Sequence, residues 1–183
     1  MKRFVLAPFL AALAMFFWGF IYYGISGIPY KALGTAGDVG PALGQLFPAD
    51  GTYILPDPRS SPEVMTEQMN RGQLAMVHIR KSGVKAMDGA VMAKGFALEF
   101  VSCLLLALLL HKAYGMQDAC INRFCFSVLT GVLVTLFANG GQAIWWQQDW
   151  GWHLMTMLHD IVCFALAGAV LTFFFRVKPE AKA

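Results

Sequence analysis

The chain has 183 residues, of which 57% are hydrophobic and 14% are charged. An average soluble protein carries about a quarter charged residues, so an ordinary soluble domain is excluded and the bilayer is the main solvent. The formal charge is only +3, and the 14 basic residues are scattered rather than gathered into a stripe. We therefore expect no nucleic-acid partner.

The first apolar stretch runs from Phe4 to Ile25. About 20 apolar residues cross roughly 30 Å of hydrocarbon at 1.5 Å per residue, so this stretch is long enough to span a membrane. Two basic residues precede it, and Ala12 and Ala14 have the small-x-small spacing of a signal-peptide cleavage site. The residues after Ala14 are as apolar as those before it, and cleavage there would leave half a span. We predict a retained transmembrane helix.

Residues 28–90 form a polar insert after this first span, in which glycine, proline and charged residues become more frequent. Gly51–Pro56 is predicted to form a short strand that ends at its proline. Gln73–Arg80 is predicted to form a second strand, closed by a turn at Ser82–Gly83.

Between the two strands, Ser60 and Glu63 have the spacing of a capping box, which predicts a short helix over Pro62–Asn70. An isolated two-stranded ribbon is only marginally stable in water, so we expect other helices, a second copy or another subunit to cover the insert. His78 in the second strand has no nearby second histidine or cysteine. It is interpreted as a solvated or core-edge residue rather than a metal ligand.

Three further apolar stretches follow the insert, and each is long enough to span the membrane. We predict an all-α integral membrane protein with a single membrane domain over residues 1–183. It is a four-helix transmembrane bundle with a small α+β periplasmic insert between helices 1 and 2. The four predicted spans are residues 4–25, 91–110, 124–142 and 152–175.

The orientation follows from basic residues in the short flanks, which fall on one side of the membrane. They are Lys2, Arg3, Lys112, Arg123, Arg176, Lys178 and Lys182. The opposite short loop, residues 143–151, has none, so we predict cytoplasmic termini and an insert on the outer side. Long loops such as the insert largely escape this rule. An outer interfacial aromatic belt is predicted from Trp145, Trp146, Trp150, Trp152, Tyr22 and Tyr23.

Polar residues interrupt the last three spans at a similar depth, and each span aligns them on one helical face. Counted at 1.5 Å per residue from the cytoplasmic flanks, Glu99 lies about 18 Å deep, and Asn139 and Asp160 about 24 Å deep. His159 is one position, about 100°, off the face of the fourth span, which makes its membership less secure. The predicted intramembrane polar cluster consists of Glu99, Asn139, Gln142, His153 and Asp160.

Three interpretations compete for this cluster. The first is structural, with polar side chains hydrogen-bonding across helices. The second is a proton relay, or a site for a small solute or cation open to the outside, with Glu99, Asp160 and His153 as its ionisable members. The third is bound haem, but haem requires two histidines at one depth, whereas His111 and His153 lie at opposite boundaries. We expect no cofactor and no metal ion.

The positions of the cysteines exclude one class of redox activity. Cys103, Cys125 and Cys163 lie within spans, and Cys120 lies on the cytoplasmic side, whereas the insert has none. The disulfide chemistry of membrane thiol oxidases requires paired outer cysteines, so this activity is excluded.

Several short motifs carry a resemblance to a known family. They are Phe17-Trp18-Gly19, the insert element Gly51-x-Tyr53-x-Leu55-Pro56 with its later strand, Trp150-Gly151, and Asp160 with Ala167-Gly168. With these motifs the chain resembles, over most of its length, an uncharacterised family of small four-helix bacterial inner-membrane proteins. The resemblance implies the architecture and the bacterial setting. It implies no activity and transfers no catalytic residue.

The leading functional expectation is a non-enzymatic accessory or scaffold subunit. It would dock on another membrane protein subunit, or on a second copy, through its insert and helix 4, where Ala165, Gly168 and Ala169 allow close helix approach. The alternative is a small oligomeric transporter or proton-coupled site that uses the polar cluster. An enzyme acting on lipid-linked substrates is weaker, because the acidic residues of the insert are more simply a solvated surface.

Overall fold

The structure is a computed structural model that describes residues 2–114 and 120–175, with the backbone alone at residues 2, 3 and 114. It is mostly helical, as predicted, and it contains one small sheet. Its elements are helix α1 (Lys2–Gly19), a π-helical turn (Phe20–Ile25), a 3-10 turn (Pro29–Ala32), helix α2 (Gly40–Leu46), strand β1 (Gly51–Leu55), helix α3 (Pro62–Arg71), strand β2 (Ala75–Ile79), and helices α4 (Gly89–Tyr114), α5 (Cys120–Trp145) and α6 (Trp150–Phe174). Arg176, Lys178 and Lys182, which entered the orientation argument, lie outside the described residues.

Four helical segments are long and apolar enough to cross a membrane, which confirms the predicted number of spans. They are Phe4–Ile25, Gly89–Ala113, Cys120–Trp145 and Trp150–Phe174. The last three begin earlier in the chain than predicted, because helical hydrogen bonding continues into the polar residues that flank each apolar stretch.

The chain divides into two compact units, which are described separately. The helical unit comprises Met1–Gly34 and Gly89–Ala183, and the insert unit comprises Thr35–Asp88. The insert unit is shorter than the predicted range of 28–90. The reason is that the 3-10 turn at Pro29–Ala32 packs against α6, with Pro29 buried, and so belongs to the helical unit.

Within the helical unit, α1 packs against both α4 and α6, and α6 packs against α5. The two outermost helices, α4 and α5, contact each other far less, so that side of the bundle is weakly closed. Small alanines of α1 pack against larger side chains of α4 and α6, which gives an apolar core through dispersion and close packing. Its buried members include Ala7, Ala11, Met15, Cys103, Leu106, Ala107, Leu110, Cys163, Ala167 and Leu171.

The closest helix contact lies between α5 and α6. A Cβ atom added at Gly131 would lie 2.5 Å from Cβ of Phe164, and one added at Gly168 would overlap the side chain of Ser127. Ser127 is fully buried and donates its own hydrogen bond to the Arg123 carbonyl. The close approach expected at Gly168 is therefore made by α5 of the same chain.

In the insert unit, β1 and β2 pair antiparallel, with Gly51 opposite Ile79 and Leu55 opposite Ala75. Both predicted strands are thus present. His78 pairs across the strands with Thr52, with 2.8 Å between Nδ1 and Oγ1. This contact fits the interpretation of His78 as a structural residue.

Helix α3 begins at the predicted Pro62, but its N-cap is Ser61 rather than Ser60. The Ser61 hydroxyl accepts a hydrogen bond from the Val64 amide, because Ser61 is the residue directly before the first helical position. Helix α2 was not predicted, although the Gly40-Pro41 start with proline in the first turn is a usual helix signal. Among the described residues of the insert, only Phe47 is a buried hydrophobic.

A local ion pair in the insert gives a testable pH dependence. Arg59 donates from Nε and Nη2 to the two Asp57 carboxylate oxygens at 2.9 and 2.7 Å, and these hydrogen bonds lower the Asp57 pKa from 3.8 to about 2. A lowered folded-state pKa stabilises the fold above the unfolded pKa, near 4, and this contribution is lost as the pH falls through about 2.

We expect Arg59→Gln to raise the Asp57 pKa toward its ordinary value, because the two guanidinium hydrogen bonds are removed. A carbon-13 NMR titration of the carboxyl groups in the full-length protein measures this pKa. A midpoint that stays near 2 in the variant would show that Arg59 is not its cause.

Candidate functional site

The polar side chains of α5 and α6 meet near one end of the helical unit. We call it the tryptophan end, because α5 ends and α6 begins there with Trp145, Trp146 and Trp150. The Asp160 carboxylate accepts the hydrogen bonds at the centre of this contact. Its Oδ2 accepts from Thr135 Oγ1 at 3.1 Å and from Asn139 Nδ2 at 3.4 Å. These bonds tie α6 to α5.

The contact continues from Asn139 toward the tryptophan end. Asn139 Oδ1 lies 3.3 Å from Nδ1 of the buried His153, and His153 Nε2 lies 2.9 Å from Gln148 Oε1. Gln148 in turn donates to Gln142 Oε1 at 3.3 Å. Gln142 is exposed and lines a surface groove of about 530 Å³.

His159 extends the network in the other direction. Its Nδ1 lies 3.0 Å from Asp160 Oδ1, and its side chain is 14% exposed. Three aromatic rings at the end of the first span surround the imidazole: Trp18 at 6.5 Å and nearly parallel, Tyr22 at 5.4 Å and Tyr23 at 4.9 Å between ring centroids. A Cβ at Gly19 would lie 3.5 Å from Nε2, an ordinary van der Waals contact, so the first span also packs against the imidazole at this position. We call the hydrogen-bonded set Gln142, Gln148, His153, Asn139, Thr135, Asp160 and His159 the polar network.

Glu99 of α4 makes no hydrogen bond to the polar network among the described residues. It lies within electrostatic range of His159, and its Oε2 is buried without a hydrogen-bond partner. Ser102 and Cys103, one turn further along α4, have partners outside the polar network. Ser102 donates to the Leu98 carbonyl of its own helix, and Cys103 lies 3.3 Å from the sulfur of Met15.

Sequence reasoning placed four of its five residues in or beside this network, and it missed others. Tyr22 and Tyr23 were interpreted as part of an interfacial belt, but Tyr22 is buried and donates to the Met155 carbonyl at 2.9 Å. Tyr23 packs against the His159 ring. Asp149 caps α6 by accepting from the Trp152 amide. The i, i+4 spacing of Trp18 and Tyr22 on one helical face was the available signal.

The opposite half of the helical unit has a different interior. There the core consists of alanine, leucine and cysteine, and Ser127 bonds only within its own helix. His111 lies in that half and packs edge-on against Phe4, far along α4 from Glu99. Within residues 2–114 and 120–175, no three histidine, cysteine or acidic side chains are arranged to hold a metal ion.

Comparison with protein-family models, with curated proteins and with solved structures finds no match to this chain. The geometry of the site therefore carries the functional argument alone.

Proposed function

We propose that this protein is a multi-pass protein of the bacterial inner membrane whose polar network is a proton-accepting site open to the periplasm. In this proposal both termini are cytoplasmic, the insert is periplasmic and the tryptophan end faces outward. The distribution of basic residues and the tryptophans support this orientation, and the family resemblance supports the bacterial inner-membrane setting. The observation that carries the function is the pairing of His159 Nδ1 with Asp160 Oδ1 at 3.0 Å, on an imidazole that three aromatic rings surround.

The arrangement around His159 suits a group that gains and loses a proton. Histidine changes charge near neutral pH more readily than other side chains, and a protonated ring here would pair with Asp160 and face three electron-rich aromatic rings. The ionisable groups around it are Tyr22 and Tyr23 from the first span, Glu99 from α4, and Asp160 and Cys163 from α6. From α5, only the neutral Thr135 and Asn139 approach through Asp160.

The amides of the network have a positioning role. Asn139 and Gln148 hold both ring nitrogens of His153, but an amide does not readily pass a proton along. In this proposal protons reach Asp160, whose side chain is 35% exposed, from the tryptophan end. The mainly apolar core of the other half would close the path toward the cytoplasm. The site therefore binds protons reversibly, and transport would need a conformational change or a second copy.

Proton uptake tests this proposal. We expect protein in lipid nanodiscs to take up about one proton fewer between pH 8 and 5 when His159→Gln replaces the proton-accepting ring, because glutamine cannot bind a proton in this range. A pH-indicator dye in weakly buffered solution measures the uptake. Asp57→Asn is the matched control, since a carboxyl with a pKa of about 2 does not titrate in this range. Equal uptake by His159→Gln and the parent protein would contradict the proposal.

The second candidate function is the accessory or scaffold subunit. It is favoured by one observation, that Phe47 is the only buried hydrophobic among the described residues of Thr35–Asp88. A unit that buries so little gains stability by covering its surface with a partner. The α6 face at Gly168 is occupied by α5, so the docking surface in this proposal is the insert.

A pull-down from native membranes, with mass spectrometry, tests the accessory role. The proposal expects another membrane protein, or a second copy of this chain, to be retained by the full-length protein and lost when insert surface residues such as Leu46 and Val84 are both changed to Asp. Both side chains are exposed, at 73% and 80%. A protein that migrates alone as a monomer and retains nothing would overturn it.

A further inference from the structure

Oε2 of Glu99 and Nε1 of Trp18 are among the buried polar atoms of the helical unit that have no hydrogen-bond partner among the described residues. Both atoms are shielded from solvent by the surrounding protein. Buried polar atoms are nearly always satisfied in folded proteins, and inside a membrane bulk water cannot serve as the partner. These two atoms therefore point to a group that completes them.

Both residues border the same imidazole. The Trp18 indole is stacked on His159 at 6.5 Å with 13° between the ring planes, and Glu99 lies within electrostatic range from α4. The His159 ring itself is only partly satisfied. Nδ1 contacts Asp160 at 3.0 Å, whereas the nearest partner of Nε2 is the weakly bonding thiol of Cys163 at 3.5 Å. Side chains from three helices thus surround one location with unused hydrogen-bonding capacity.

The donor and acceptor capacities of the two atoms indicate which chemical group could bind to both of them. The indole N–H can only donate, and a carboxylate oxygen can only accept. A hydroxyl group accepts from the first and donates to the second through one oxygen atom. An ammonium offers no acceptor to Trp18, and a carboxylate offers no donor to Glu99.

We propose that Glu99, Trp18 and His159 form a binding site for a hydroxyl group, supplied by a buried water or by the polar end of a membrane-soluble molecule. The hydroxyl-binding site adds a ligand to the proposed proton-accepting function. It rests on that function only because both proposals involve His159.

Tryptophan fluorescence reports on this site directly. In a variant with Trp145, Trp146, Trp150 and Trp152 changed to Phe, Trp18 is the sole tryptophan, and a new hydrogen bond to its N–H shifts its emission. The variant is placed in nanodiscs at fixed pH and titrated with octan-1-ol, with octane as the control that lacks a hydroxyl. If the guest is lipid-borne, octan-1-ol shifts the emission saturably and octane does not.

Removing the acceptor tests the assignment of the residues. We expect Glu99→Leu to weaken the apparent octan-1-ol affinity roughly tenfold or more, because the guest hydroxyl loses its acceptor, and Glu99→Gln to retain most of it through the amide oxygen. Retention of oligomeric state and melting temperature shows that either variant is folded.

An experimental density map distinguishes the two sources of the hydroxyl. If octan-1-ol has no effect, an ordered water within hydrogen-bonding distance of both Trp18 Nε1 and Glu99 Oε2 supports the site with water as its guest. No response to octan-1-ol together with no density between the two atoms overturns the site. That result would leave the proton uptake assigned to His159 unaffected. Equal proton uptake by His159→Gln and the parent protein, with an intact octan-1-ol response in the variant that retains only Trp18, would overturn only the proposed function.

Discussion

Replacing Gly168 with alanine is expected to destabilise the helical unit by about 1–3 kcal/mol, the usual cost of overpacking a tight core. The added Cβ would overlap the side chain of Ser127, which is fully buried and hydrogen-bonded to the Arg123 carbonyl, so it has no room to move aside. The helices would have to separate, and the contact between Gly131 and Phe164 one turn away would loosen with them. Equilibrium unfolding by SDS in mixed micelles, followed by circular dichroism, measures the loss.

Gly95→Ala is the matched control for this prediction. Gly95 also lies in a spanning helix, but a Cβ there would meet nothing within 4 Å. Alanine favours a helix over glycine by about 1 kcal/mol, so the control is expected to be neutral or slightly stabilising. Equal effects at the two positions would show that the α5–α6 contact is looser than the structure indicates.

Replacing Asp160 with leucine is expected to destabilise the protein by about 1–3 kcal/mol, because it removes the acceptor that joins α5 to α6. The Thr135 hydroxyl, the Asn139 amide and the His159 ring would each lose a partner. Interhelical hydrogen bonds in membranes average about 0.6 kcal/mol, so the effect comes mainly from leaving the buried Thr135 hydroxyl without an acceptor. Asn139 Nδ2 keeps its 2.8 Å hydrogen bond to Thr135 Oγ1.

Asp160→Asn separates the structural role of this residue from its ionisable role. The amide keeps an acceptor oxygen for Thr135, so we expect a loss of stability of less than about 1 kcal/mol. The same substitution removes the negative charge that would pair with a protonated His159. Similar stability for Asp160→Leu and the parent protein in SDS titrations would mean that the network contributes little to the fold.

Much of the helical unit can be predicted from the sequence, because hydropathy and length decide which segments span a membrane. The helical faces were also informative. Asn139, His153 and Asp160 were expected on facing stripes of their helices, and the structure joins them by hydrogen bonds. The strands of the insert followed in the same way, because proline and glycine mark where each one ends.

The centre of the site could not be predicted from the periodicity of single helices. His159 lies about 100° from the stripe of α6, yet its ring turns back to the carboxylate of the adjacent Asp160. Its aromatic surroundings come from the first span, and only packing between helices reveals them. Glu99 was expected in the hydrogen-bonded cluster but is not bonded to it, because α4 packs on α1 rather than on α5. Helical periodicity gives the face of each helix, but not which faces meet.

The most direct test of the account is whether His159 gains its proton from the periplasmic side. Protonated imidazole quenches the fluorescence of an indole stacked on it, so the variant that retains only Trp18 reports the charge of His159. Its emission is followed in sealed membrane vesicles after a rapid drop of external pH from 8 to 5. We predict immediate quenching in right-side-out vesicles and none in inside-out vesicles over the same seconds. Quenching only in inside-out vesicles, or in neither, would contradict an outward-facing proton site.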